Sequence, residues 1–208
     1  RKLVVLDVDS TLIRQEVIEL LAAHAGREAE VAEITERAMR GEIDFEQSLR
    51  ERVVVLAGLS AEVVDDVADA VRLSPGAQAL VRTLLREGHA VAAVSGGFRQ
   101  VLAPLASSLE LTRWAANGLE VEDGRLTGRV GGPVVDRAAK AEIVAQWARD
   151  LEIAPEDVLV VGDGANDVDM ARAAGLSVAY RAKPALQDVA DTQINIPNLD
   201  ALRFFLDL

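Results

Sequence analysis

Four short apolar, β-rich runs, residues 3–8, 90–95, 158–162 and 176–180, constrain this chain more than any other feature. Each is dominated by Val, Leu and Ala and punctuated by turn-forming residues, the pattern of strands buried on both faces of a parallel sheet. Between them Leu80, Val81, Leu84 and Leu85, and then Val101, Leu102, Leu105 and Leu109, fall on one face of a 3.6-residue helix. Ser74-Pro75 reads as the N-cap and first-turn proline of the first helix. Strand and helix in alternation demand right-handed crossovers, so the expected class is α/β, an open parallel sheet with helices on both faces.

Two stretches break the alternation. Residues 13–74 hold no convincing strand and read as several helices, with Val31, Ile34 and Ala38 on one apolar stripe. The expectation is a core of residues 1–12 and 75–208 with a helical cap, 13–74, inserted after the first strand and hinged near 12–16 and 72–76. Residues 119–130 alternate about Asp123-Gly124, a dipeptide that favours a two-residue turn, and are expected to form a small β-hairpin flap.

Composition narrows the function. With 34 acidic against 22 basic residues the formal charge is −12, the wrong sign for a nucleic-acid partner. The absence of cysteine rules out disulfides, a thiol nucleophile and a thiolate metal site, leaving oxygen or the two histidines as metal ligands. Apolar runs fall far short of the roughly 20 residues that span a bilayer, and no signal peptide opens the chain. A soluble, cytoplasmic protein without membrane partners is expected. Because a strand follows Arg1 almost at once, further sequence upstream is expected too.

Ligands of open α/β sheets bind beyond the carboxyl ends of the strands. The first strand ends in Asp7-Val8-Asp9-Ser10-Thr11, the second in Ser95-Gly96-Gly97, and the third in Gly162-Asp163-Gly164-Ala165-Asn166-Asp167. A single aspartate there would be a turn or a helix cap; four on one rim repel one another unless a cation compensates. All-oxygen ligands suit magnesium. Gly162-Asp163-Gly164 starts like a dinucleotide fingerprint but fails at Asp167, which would repel a pyrophosphate, and no phosphate loop of the Gly-Lys-Ser/Thr type occurs. Ala165 breaks the spacing of a calcium loop.

In this order, with Lys140 between the second and last motifs, these segments resemble the four motifs of the haloacid dehalogenase superfamily of phosphohydrolases. Asp9-Ser10-Thr11-Leu12, residues 44–52, Val94-Ser95-Gly96-Gly97-Phe98 and residues 162–167 are further similar to the phosphoserine phosphatases of that superfamily, and the resemblance covers essentially the whole chain. It implies a Rossmann-like core and magnesium-dependent hydrolysis of O-phospho-L-serine to L-serine and phosphate, the last step of serine biosynthesis. Asp7 would be the nucleophile and a metal ligand. Asp9 would be the acid and base, with its backbone carbonyl on the metal, Asp163 a second carboxylate ligand, and Asp167 a support behind them. Ser95, the Gly96 amide and Lys140 would bind the phosphoryl group. Without the motif, Lys140 would be a solvated lysine at the start of a helix whose apolar stripe is Ile143, Val144, Trp147 and Leu151.

In the cap, the resemblance gives Glu16 to the substrate ammonium and Arg52 to its carboxylate. Met39 and Phe45 would be apolar walls and Asn166 a polar contact. His24 and His89 match no motif. The same residues would serve a phosphotransferase or a phosphatase for another small phosphoester. A phospho-accepting signalling switch also gathers aspartates and a lysine on a parallel sheet; Asp9 in the acid/base position and the long cap count against it. Homo-oligomerisation is left open.

Overall fold

The computed structural model describes residues 1–40 and 42–206, the side chain of Met39 excepted. Its seven strands are β1 (Leu3–Leu6), β2 (Ala90–Phe98), β3 (Arg113–Glu122), β4 (Arg125–Gly131), β5 (Val158–Gly162), β6 (Leu176–Tyr180) and β7 (Thr192–Ile194). They form one sheet in the order β4-β3-β2-β1-β5-β6-β7, with every neighbouring pair parallel except β3–β4. The expected α/β class holds. Two strands went unread: the first half of β3 begins with the exposed Arg113 and Trp114, and β7 is only three residues long.

β1, β2 and β5 bury alternate residues against two layers of helices. Leu3, Val5, Ala92, Val94 and Val160 pack with Val144 and Trp147 of α7 (Arg137–Asp150) and with Met170 of α8 (Val168–Ala173). Val4, Leu6, Val91, Ala93 and Val161 face α5 (Ala77–Arg86) and α6 (Arg99–Ser108). The second face also takes in the insertion, whose helices are α1 (Val17–Ala25), α2 (Glu28–Met39), α3 (Phe45–Val54) and α4 (Glu62–Ala70); Val17, Leu21, Leu49, Val53 and Val67 join that same apolar cluster. The last short helix, α9 (Pro184–Gln187), follows β6. Among the described residues no helix is long and apolar enough to cross a membrane.

One local expectation is corrected. Ser74 does not cap α5: Gly76 is the N-cap, at φ +79°, where a Cβ would strike Asn198 and Asp200, and Ser74 offers only its backbone carbonyl to Ala77 N at 3.0 Å. The turn at Asp123 and Gly124 forms, both at positive φ. The hairpin flap forms with it: residues 118–122 of β3 pair with residues 125–131 of β4, beyond the stretch 113–117 of β3 that pairs in parallel with β2.

The insertion leaves and re-enters the sheet layer through adjacent backbone. Ile13 and Leu73 form an antiparallel bridge, Arg14 N donates to Arg72 O at 2.9 Å, and Ser74 N donates to Leu12 O at 2.9 Å. A third tie lies at its far end: Gly58 N donates to Leu126 O at 2.8 Å, Leu126 N to Leu59 O at 2.9 Å, and Ala61 N to Gly124 O at 2.9 Å. The insertion is thus fastened to the β3–β4 hairpin as well as at its two ends.

Candidate active site

β1 and β5 are neighbours at the point where the strand order reverses, so the crevice that accepts ligands opens between their carboxyl ends. Asp7 continues β1 in extended backbone and donates its N–H to Val161 O of β5 at 2.9 Å. The chain then turns sharply, with Ser10 in the left-handed region at φ +56°. Two hydrogen bonds hold this turn against the start of α1: Val17 N to Asp9 Oδ1 at 3.1 Å and Ser10 Oγ to Glu16 Oε1 at 2.6 Å.

Behind Asp7, Lys140 and Asp167 are sealed from solvent. Lys140 Nζ donates to Asp7 Oδ1 at 2.5 Å and to Asp167 Oδ1 at 2.8 Å. The other oxygen of Asp167 accepts from the backbone N–H groups of Asp163 and Gly164 at 3.1 and 3.2 Å. A Cβ at Gly162 would strike the Asp167 carboxylate, which is why glycine ends β5. Lys140 reaches this place because Asp136 caps α7 by accepting Ala139 N at 2.8 Å, which starts the helix beside the strand ends.

Charge at this rim is out of balance. Burial works against the Lys140 cation, but Asp167 and Asp7 outweigh it and hold its pKa above the ordinary value. Burial, followed by Asp167, drives the Asp7 carboxyl well up against the opposing pull of Lys140. Asp9 is pushed up to about 7 by burial and then by Glu16, and Asp163 to about 6 by burial and then by Asp167. The one buried ammonium, Lys140, faces too many carboxylates, and Lys183 offsets Asp163 only in part.

Carboxylate oxygens of Asp7, Asp163 and Asp167 lie within 4.8 Å of one another. Asp167 spends both of its oxygens on Lys140 and backbone N–H groups. The Asp163 carboxylate is buried and receives no hydrogen bond from the described residues, and Lys183 and Lys140 offset its charge only in part. This set of hard oxygen donors with surplus negative charge fits a divalent cation held by Asp7 and Asp163, with Asp167 behind them.

On the other side of β1, strand β2 bulges. Val94 pairs with Ala115 and Phe98 with Asn117, so Ser95, Gly96 and Gly97 stand opposite the single residue Ala116. Gly97 N donates to Ser95 Oγ at 2.8 Å. A Cβ on Gly97 would strike Asp9, and one on Gly96 would strike the Phe45 ring, so only glycines let this bulge meet both the aspartate turn and α3.

A cavity of about 620 Å³ opens over the rim, with Asp7, Asp9, Asp163 and Asn166 toward the sheet and Glu16, Phe45 and Arg52 from the insertion. Ser95 and Lys140 do not line it; they are buried beside Gly97 and Asp7. Met39 ends α2, and its side chain lies outside the described residues. Arg52 Nε donates to Ser48 O at 3.2 Å, and burial lowers its pKa while Glu16, Asp9 and Glu19 oppose the shift. Among the described residues Arg52 has no acidic partner in ion-pair contact, so Arg52 and Glu16 face one cavity as opposite but unjoined charges. Two neighbours of the site escaped the sequence reading. Asn117 is a lone polar residue in an apolar stretch of β3, and Lys183, which lines the cavity and donates its N–H to Asp163 O at 2.8 Å, is marked only by the proline after it.

Residues 4–172 match the model of the haloacid dehalogenase-like hydrolases. A phosphoserine phosphatase of Streptomyces coelicolor is 55% identical over the whole of this chain, which spans 51% of that protein's length. One from Lactococcus lactis is 44% identical over 99% of this chain and 95% of its own. A solved structure of a substrate-bound phosphoserine phosphatase complex superimposes with a TM-score of 0.92 at 41% identity, covering 98% of both chains. A phospho-aspartyl intermediate analogue of phosphoserine phosphatase gives the same TM-score of 0.92 at 42% identity. With its carboxylate rim at the β1–β5 switch point and the motifs in their family order, the chain belongs to the haloacid dehalogenase-like hydrolase family, and within it resembles the phosphoserine phosphatases along its whole length.

Proposed function

We propose that this chain hydrolyses O-phospho-L-serine to L-serine and phosphate with magnesium as its metal, through an aspartyl phosphate on Asp7. The observation that carries this reading is the cavity itself, which is lined by Asp7 and Asp9 together with Glu16 and Arg52, two opposite charges not joined to each other. Phosphoserine is a phosphate ester whose remaining charges are an ammonium and a carboxylate, and these two residues complement them. Residues 1–12 and 75–208 form the catalytic core in this reading, and 13–74 the cap that selects the substrate. A free small metabolite suits a cytoplasmic enzyme.

Asp7 attacks phosphorus, and the bond to the serine oxygen breaks as Asp9 protonates that oxygen. A pKa of about 7 lets Asp9 carry that proton near neutral pH. Ionised Asp9 then takes a proton from water, which attacks the aspartyl phosphate and releases phosphate. Lys140 restrains the attacking carboxylate, and Ser95 with the Gly96 amide receives phosphoryl oxygens. Asp7 and Asp163 would hold the magnesium ion, which supplies positive charge against the phosphoryl oxygens. Asp167 keeps Lys140 and the Asp163 loop in place.

Phosphate release from O-phospho-L-serine, with magnesium and with a chelator, tests the proposal. Turnover that depends on the metal and is faster for phosphoserine than for an aryl phosphate is expected. No turnover of phosphoserine, or faster turnover of every other phosphoester offered, would sink it. Adding an alcohol acceptor distinguishes hydrolysis from phosphoryl transfer.

A further inference from the structure

A bulge removes backbone groups from the strand ladder, and a buried carbonyl left without a donor destabilises the fold. The bulge in β2 has this problem at Gly96, and Asn117 answers it. Asn117 is fully buried and projects from β3. Its Nδ2 donates to Gly96 O at 2.9 Å and to Val135 O at 3.4 Å, while its Oδ1 accepts Val135 N at 2.7 Å. Because Val135 N–H can only donate and Gly96 C=O can only accept, the amide has one workable orientation.

The peptide unit between Gly96 and Gly97 is therefore pinned at both ends. Its carbonyl is held by Asn117, and its N–H by Ser95 Oγ at 2.8 Å. Two consecutive glycines carry no side chain to restrict this unit, and without the pins it could rotate freely. The same asparagine holds Val135, which directly precedes Asp136, the N-cap of the helix that carries Lys140. One side chain thus joins the Ser95-Gly96-Gly97 bulge to the start of α7.

We infer that Asn117 is a positioning residue for phosphoryl recognition: it locks the Gly96–Gly97 peptide, whose N–H holds the Ser95 hydroxyl oxygen and which shares the Gly96 Cα with the Ser95–Gly96 peptide, so that the Ser95 hydroxyl and the adjoining Gly96 amide are set before substrate arrives. This deepens the phosphatase reading and rests on it for the identity of the ligand. Pre-set donors act in the transition state without reorganising, so losing the lock should slow the chemistry as well as weaken binding.

The test compares the magnesium-loaded wild type with Asn117→Ala. Expected are a fall of about tenfold or more in kcat/KM, alike for phosphoserine and an aryl phosphate, and about tenfold weaker inhibition by orthovanadate. Exchange of the Gly97 amide hydrogen should accelerate, while the Val5 and Val160 amides keep their protection. A merely structural role would lower the melting temperature and leave orthovanadate inhibition and Gly97 exchange at wild-type values in the folded protein, and that result would overturn the inference. Should Asn117→Ala not fold, Asn117→Asp, of equal size and still an acceptor for Val135 N, is held to the same criteria at pH 8. Failure of both to fold would make Asn117 a folding residue and overturn the assignment as well. If the wild type does not turn over phosphoserine, yet Asn117→Ala still loses orthovanadate binding and Gly97 protection, the substrate reading fails and this one stands.

Discussion

Lys140 and Asp167 meet at 2.8 Å with neither side chain exposed to water, and Lys140 also reaches Asp7. Removing one partner of such a buried pair leaves a charge that nothing compensates. Lys140→Met should therefore lower the unfolding free energy of the metal-free protein by about 3–5 kcal/mol and abolish turnover. Lys140→Met with Asp167→Asn should regain part of that stability and none of the activity. Urea denaturation of the wild type, both single variants and the double variant measures the coupling, and additive effects would show that the pair is not coupled.

Asp7→Asn and Asp9→Asn should fail differently. An amide at position 7 is neither a useful nucleophile nor a good metal ligand, so turnover should vanish in a protein that still folds. Asp9→Asn keeps its backbone carbonyl and loses the proton shuttle, so formation and hydrolysis of the phosphoenzyme should both slow, by about 10²–10⁴. Rapid-quench measurement of phosphoenzyme separates the two. Near-wild-type phosphate release by Asp7→Asn would exclude the covalent route.

Metal and pH should act on stability together. Asp9 and Asp163, at about 7 and 6, stand above the ordinary aspartate value of about 3.9 in an unfolded chain. The folded protein therefore holds protons that the unfolded chain has already released, and between about pH 4 and 7 the metal-free protein should lose stability as pH rises. Magnesium favours the ionised carboxylates, so it should raise the melting temperature more at pH 7.5 than at pH 5.5. Equal magnesium shifts at both pH values would contradict this balance.

Arg52 offers the sharpest test of substrate. Arg52→Ala should lose a charge-assisted contact of about 1.5–3 kcal/mol, a ten- to hundredfold fall in kcat/KM for phosphoserine, with an aryl phosphate much less affected. Arg52→Lys should recover part, since an ammonium cannot reproduce a planar two-donor fork. Equal losses on both substrates would make Arg52 structural or phosphate-binding.

The buried strands β1, β5 and β6 and the acidic rim were legible because continuous Val/Leu/Ala runs and the Asp-rich turns after two of them are local signals. The first half of β3 was not, since Arg113 and Trp114 lie exposed near the sheet edge and interrupt the apolar pattern. Lys140 could be read only from its motif: helical periodicity puts a lysine in solvent, and what draws this one inward is the pair Asp7 and Asp167, far away in sequence. Asn117 had no local signal, because its partners, the β2 bulge and Val135, exist only once the sheet has formed.

The Ile13–Leu73 bridge has a consequence for engineering. The excursion of the chain from β1 through four helices starts and finishes at neighbouring backbone positions, so it can be handled as a cassette whose replacement need not disturb the strand order. The bonds from Gly58, Leu59 and Ala61 to Gly124 and Leu126 set the rule for such exchange. A transplanted cassette must bring the matching hairpin tip with it, or the graft will lose these bonds and rest on its two ends and its apolar face.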